Sequence, residues 1–426
     1  MMLSVSKLTL DHEPALSGVE RLPVMGWKIE SRHRNVRQTS YQLQISQDIC
    51  FNQIVFDSGV QHSEQSNNIV LANVALTPSA RYFVRVRVQD NYAETSAWSE
   101  PAGFITGLLD SGWRAEFISA EKPEDKDNSK ATLVRKTFEA DSHKSISSAF
   151  AHVSAWGIYQ LYVNGNKVGT DELTPGWTSY AHHLLYQTYD LTDILSGGLN
   201  VIGAMLGAGW YKGDMGFTRD RNYYGENTAL ICQVVITYTD GSQDIINTDE
   251  SWEGDDSPIL FAEIYDGEIY DARQEQTGWS SQKFTPRVWR PVRVMAGDKT
   301  VLKAQASGTV KQTERLKPVA MITTPQGDRV IDFGQNLSGW VEFCVKGRAG
   351  QKVILRHFEV LDAAGNVYLD NLRSAKQRTE YVLKGEGEEC WHPHFTWQGF
   401  RYVKVEEYPG KVDLNNFTAI VLHSAM

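Results

Sequence analysis

Cysteine is scarce in this chain and scattered: Cys50, Cys232, Cys344 and Cys390 are the only four in 426 residues. None is spaced as C-x-x-C, which argues against a zinc site or a disulfide framework. The apolar neighbours of Cys50, Cys232 and Cys344 point instead to buried, reduced thiols. Long hydrophobic runs are missing too. No stretch approaches the ~20 apolar residues of a membrane helix, and Met1 to Leu8 carries no signal-peptide core, so the expected location is cytoplasmic. Basic charge is not in excess either. A net charge of -10 argues against nucleic acid or an anionic membrane as partner, since both need a basic footprint. Phosphate-cradling G-x-x-x-x-G-K, zinc-binding H-E-x-x-H and the G-x-S-x-G nucleophile elbow are all absent. His182-His183 and His392-Pro393-His394 have no third ligand at metal spacing. Sustained 3.6-residue periodicity, the mark of long helices, is missing as well.

What is present is alternation. Tyr41-Gln42-Leu43-Gln44-Ile45-Ser46 and Tyr82-Phe83-Val84-Arg85-Val86-Arg87-Val88-Gln89 alternate with period 2, the pattern of half-buried strands. So do Val341-Glu342-Phe343-Cys344-Val345-Lys346 and Phe400-Arg401-Tyr402-Val403-Lys404-Val405. Asn164-Gly165 between two strand arms is a strong hairpin signal, and Asp240-Gly241 and Asp266-Gly267 act alike. Thr192 is positioned to cap a single helical turn at Leu191–Leu195. The length is too great for one core and suggests about three domains. The expected fold is all-β: three consecutive β-sandwiches over 1–108, 112–300 and 308–426, with a crossing linker near 295–320. The chain stops straight after the strand-like Ile420-Val421-Leu422, so it reads as the front of something larger.

Two clusters could carry chemistry. In the first, Pro175-Gly176-Trp177-Thr178 and Gly207-Ala208-Gly209-Trp210-Tyr211-Lys212-Gly213-Asp214 put indoles beside glycines. Exposed indole faces suit the C–H faces of a sugar, with Tyr211, Lys212 and Asp214 as polar partners. Core packing of the same tryptophans is the competing reading. In the second, Asp266 and Glu268 crowd a hairpin. If Asp266-Gly267 is a two-residue turn, Ile264 faces Ile269 and Tyr265 faces Glu268. Paired carboxylates are what glycoside hydrolysis requires. The alternative is an acidic hairpin tip paired with Arg273. No cofactor is required by either cluster. Calcium is the one ion the loop oxygens of Asp214, Asp220, Asn222 or Glu226 could take.

Several stretches resemble, in the same order, the amino-terminal β-domains of the bacterial α-L-rhamnosidases, a glycoside hydrolase family. They are Leu161-Tyr162-Val163-Asn164-Gly165, Leu173-Thr174-Pro175-Gly176-Trp177-Thr178, Gly209-Trp210-Tyr211-Lys212-Gly213, Ile264 to Arg273, and Asp332-Phe333-Gly334-Gln335-Asn336-Leu337-Ser338-Gly339-Trp340. The resemblance covers about 113–426. The first hundred residues, with Leu76-Thr77-Pro78 and Ala97-Trp98-Ser99-Glu100-Pro101, resemble a fibronectin type III-like module. The family resemblance implies a jelly-roll carbohydrate-binding-like middle domain and a parent reaction, inverting hydrolysis of a terminal α-L-rhamnose. In that family the chemistry resides in an (α/α)6 barrel, with acids from a D-x-P-x-R-D-E-R-x-G-W-x-G-D segment. No such segment occurs here, so no catalytic residue is carried over and the isolated chain is expected to be inactive. The expected substrate-binding residues are Trp177, Trp210, Tyr211, Asp214, Asp266 and Glu268. The expected partners are a rhamnose-containing glycoside and the parent's catalytic domain. A free-standing carbohydrate-binding protein, or a subunit of a separate catalytic chain, is the alternative.

Overall fold

Period-2 alternation does what it predicts in Arg81–Asp90, where Tyr82, Val84, Val86 and Val88 point inward and are buried. The computed structural model describes residues 2–72, 74–216, 218–285, 288–305 and 308–424. Residues 306 and 307 of the expected linker, Phe217 of the expected calcium loop and the last two residues of the chain lie outside them. Arg81–Asp90 is the centre of a five-stranded sheet ordered Ala15–Val19, Ala102–Thr106, Arg81–Asp90, Gln38–Ser46, Ile54–Asp57. A two-stranded sheet, Ser4–Leu10 with Met25–Glu30, closes its inner face. On the outer face the Arg85 guanidinium lies 4.0 Å from the Phe51 ring and 4.4 Å from the Trp98 ring, with Arg87 4.7 Å from Trp98. Such cation–π contacts stiffen a solvent-facing ladder.

The middle module packs two sheets. One is built on Ile146–Trp156 between Ala229–Tyr238 and Leu184–Asp190. The other runs through Ile158–Val163, Gly198–Gly207 and Thr132–Ala140. Their inward residues, including Val134, Phe138, Val153, Leu161, Ile202, Val234 and Trp252, form one core. Burying each large side chain stabilises by roughly 1.5–3 kcal/mol. Asn164-Gly165 makes the expected two-residue turn, with φ of 50° and 90°. Around Thr192 a single turn forms, but Asp190 rather than Thr192 caps it, its Oδ1 accepting from the Thr192 amide at 3.0 Å.

The third module is an eleven-stranded sheet around Arg329–Lys346. That 18-residue strand bulges between Asp332 and Leu337, where pairing with Gln398–Glu407 is interrupted. Arg401 grips the Asp332 carboxylate with two 2.9 Å bonds at the base of the bulge. Three strands from the preceding stretch also join this sheet: Asp171–Glu172, Ile259–Glu263 and Gly267–Asp271. The second and third modules are therefore sewn together by backbone pairing. The stretch expected to cross as a linker holds strands of its own, Leu302–Ala304 and Val310–Leu316. The whole chain is all-β, and among the described residues the only α-helix is the four-residue turn Gly209–Lys212. No described helix is long and apolar enough to cross a membrane.

Two expectations about cysteine are corrected. Cys344 and Cys390 sit directly opposite each other on paired strands, Cα–Cα 4.1 Å apart, and are joined in a disulfide. Cys50 is exposed; Cys232 is the buried free thiol.

Candidate functional site

The two tryptophans singled out from the sequence come together. Trp177 sits on the loop after Thr174-Pro175, fixed by the Tyr159 amide on the Thr174 carbonyl at 2.8 Å and by the Tyr180 hydroxyl on the Gly176 carbonyl at 2.8 Å. Trp210 sits on the helical turn Gly209–Lys212. The glycines before it are there for space: a Cβ on Gly207 would meet Phe395 at 2.6 Å, and Gly209, at φ +54°, packs on Ile158. The two indoles are parallel within 5°, with centroids 6.3 Å apart. Trp177 is 53% exposed, and its Nε1–H points at the Tyr224 hydroxyl 3.4 Å away. The indoles wall a groove of about 230 Å³ lined also by Glu172, Pro175, Val310 and Ser424. The groove thus lies where the middle module meets the third.

The other expected residues go elsewhere. Tyr211 turns inward, its ring parallel to Trp156 at 5.8 Å, and burial pushes its phenol up to about 12. Lys212, expected to face a ligand, is fully buried. Its ammonium donates to Glu121 at 2.7 Å and to the Asp125 carbonyl at 2.8 Å. Asp214 is held by Arg219 at 2.6 Å and Arg221 at 3.2 Å. Arg221 continues to Glu263, which also accepts from Ser129. Burial raises the Glu263 carboxyl above its ordinary range.

The acidic hairpin differs from the predicted register. Glu263 faces Gly267 and Ala262 faces Glu268, so the loop is the three residues Ile264-Tyr265-Asp266. The reason is Gly267, at φ +111° and packed on the Arg378 backbone, which continues the strand instead of turning. Asp266 is buried and paired with Arg219 at 2.5 Å and Lys376 at 3.0 Å. Burial alone would raise its carboxyl, but these two cations outweigh that and hold it below its ordinary value. Glu268 is 0% exposed. Its Oε2 accepts from both the His394 and the Phe395 amides, at 2.9 and 2.8 Å, and Oε1 lies 3.0 Å from His394 Nδ1. Both carboxylates tie the hairpin to neighbouring loops.

Among the described residues no group of three or more His, Cys, Asp or Glu is placed to hold a metal ion. In the calcium loop Asp214 is taken by two guanidinium groups, and Asp220 accepts from Thr218 at 2.6 Å. Of the four candidate calcium ligands, Asp214 and Asp220 already have protein partners, while Asn222 Oδ1 is buried without one among the described residues.

Glu172 and the Arg219/Arg221 pair were not singled out from the sequence. Glu172 Oε1 accepts from Lys167 at 2.8 Å and Gln312 at 3.1 Å. The alternation of charge in Arg219-Asp220-Arg221 was the available signal for an ion network.

Comparison with known proteins agrees with this architecture. The family described as "Rha78A-like, N-terminal immunoglobulin domain" matches residues 5–110. "Alpha-L-rhamnosidase N-terminal domain" matches 144–314, and "Bacterial alpha-L-rhamnosidase concanavalin-like domain" matches 322–423. An α-L-rhamnosidase of Streptomyces avermitilis is 38% identical over 343 residues, 79% of this chain and 32% of the relative. One from Formosa agariphila is 30% identical, over 91% of this chain and 43% of the relative. The crystal structure of the Aspergillus terreus α-L-rhamnosidase superposes with a TM-score of 0.92 at 34% identity, covering 100% of this chain and 49% of that one. The chain therefore spans about half the length of such relatives, or less. Three β modules in this order match the amino-terminal β-domains described for α-L-rhamnosidases. The chain belongs to the α-L-rhamnosidase family through these amino-terminal domains, and no helical barrel is present among its described residues.

Proposed function

We propose that these domains are the non-catalytic, supporting part of an α-L-rhamnosidase, divided at 1–108, 112–300 and 308–426. In this reading they hold and orient a catalytic domain that hydrolyses terminal α-L-rhamnose, and the Trp177–Trp210 groove seats part of a rhamnoside. The observation that carries it is the superposition of the whole chain on about half of a solved α-L-rhamnosidase. The local geometry agrees: the two acids nearest a hydrolytic pair, Asp266 and Glu268, are buried and fully engaged, whereas Trp177 offers an open aromatic face. Binding there is weak, because one stacked ring contributes ~1–3 kcal/mol, short of the ~4.1 kcal/mol of a ~1 mM site, so the dissociation constant is several millimolar or higher.

The test is release of p-nitrophenol from p-nitrophenyl α-L-rhamnopyranoside by the purified chain. No release is expected. Turnover that co-purifies with the chain through successive columns overturns the supporting role. A cytoplasmic location, the expectation from the amino terminus, stands against the Cys344–Cys390 disulfide, which oxidising compartments favour. Alkylation of both cysteines in freshly lysed source cells would support the cytoplasm.

A further inference from the structure

Several polar side chains around the Trp177–Trp210 groove are already used. Glu172 is buried, with one oxygen taken by Lys167 and Gln312 and the other 3.5 Å from Gln160. The Thr174 hydroxyl donates to the Tyr159 carbonyl at 3.2 Å, and the Thr309 hydroxyl to Asp171. A sugar is recognised by several convergent groups that exchange hydrogen bonds with its hydroxyls, and these side chains have little left to give. What the groove does offer is aromatic and apolar. Two indole planes lie within 5° of parallel at 6.3 Å, and Pro175 and Val310 complete the wall. Indoles this close leave no room for a ring between them, so a ligand ring lies along the open Trp177 face and meets a π face parallel to its own plane. At about 230 Å³ the groove is below the ~300–1,000 Å³ of sites that enclose a drug-sized ligand, so it suits a single ring. Trp177 is also held in place, by the Tyr224 hydroxyl at its Nε1–H, so its open face is ordered before any ligand arrives.

From this geometry we propose that the groove seats the aromatic aglycone of an aryl rhamnoside and leaves the sugar at its mouth. This rests on the reading of the groove as a rhamnoside site and names which part of the ligand it holds. Residues that discriminate ligands here are then Trp177 and Trp210, through flatness rather than hydroxyl pattern.

The experiment is a pair of NMR titrations of the whole chain, following the Trp177 indole N–H, assigned by its loss in Trp177→Ala. Phenyl α-L-rhamnopyranoside is compared with methyl α-L-rhamnopyranoside. The expected result is at least ~10-fold tighter binding of the phenyl glycoside, equivalent to ~1.4 kcal/mol, with that preference abolished in Trp177→Ala when followed at the Trp210 indole. Equal affinities overturn the aglycone assignment alone and leave the groove as a sugar site. A phenyl preference that survives Trp177→Ala also overturns it. No shift with either glycoside overturns both this inference and the reading it rests on.

Discussion

His152 gives the sharpest prediction about stability, because its charge is decided by the fold. It is fully buried where the first module meets the second, with Nε2 2.8 Å from the Ser79 hydroxyl and Nδ1 3.0 Å from the Thr188 hydroxyl. A neutral imidazole has one donor and one acceptor, and two hydroxyls satisfy both. Burial disfavours the imidazolium and lowers the pKa from 6.5 to about 3. The folded value is depressed, so the stability contribution is complete above the unfolded pKa near 6.5. It is lost as pH falls through that value toward 3, because only the unfolded chain takes up the proton. Within that window the loss is ~1.4 kcal/mol per pH unit. Other buried groups also couple stability to pH: Glu121 and Glu263 are raised by burial and favour the fold as pH falls, while His357, lowered to about 4 by burial, adds to the loss. A variant that cancels these shared terms is therefore needed. His152→Gln keeps a donor and an acceptor but cannot charge. Chemical denaturation of both proteins at pH 7, 6 and 5 should show the variant less stable at pH 7 and the gap shrinking by ~1–2 kcal/mol by pH 5. Parallel pH profiles for the two proteins would refute the argument, since His152 would then bind its proton equally in both states.

Three further outcomes follow from the buried charges. Glu268→Ala removes the Oε2 that accepts from both the His394 and the Phe395 amides and leaves two donors unpaired, and should cost ~2–4 kcal/mol; a melting temperature equal to wild type would contradict the buried arrangement. Lys212→Met leaves Glu121 buried without its cation, at ~3–5 kcal/mol, and adding Glu121→Gln should recover part of that loss. A double variant no more stable than Lys212→Met would show that the pair is not coupled.

Much of this architecture was legible because strands declare themselves locally. The alternation of Tyr82 to Gln89 and the Asn164-Gly165 turn depend on neighbours a few residues away. What the sequence hid depends on distant partners. Cys344 and Cys390 are 46 positions apart, and only the register of two strands brings them opposite. Lys212 beside a glycine reads as a surface residue until Glu121, 91 residues earlier, is known to lie under it. Glu268 looked available for chemistry because its partner amides, at His394 and Phe395, are more than 120 residues downstream. Glycine spacing around Trp210 did mark the aromatic groove, but not which side chains would share it. Tyr211 is adjacent in sequence and, one position round the same helical turn, points into the core.

The most direct test of the groove is a titration of the chain with phenyl α-L-rhamnopyranoside, read at the Trp177 indole N–H, beside a melting curve of Trp177→Ala. Because Trp177 is half exposed, removing its ring should leave the melting temperature nearly unchanged. A core tryptophan would instead cost ~3–5 kcal/mol. The account predicts a saturable shift in the millimolar range that Trp177→Ala abolishes without destabilising the protein. A wild type that shows no saturable shift, or a Trp177→Ala variant that is strongly destabilised, would contradict it.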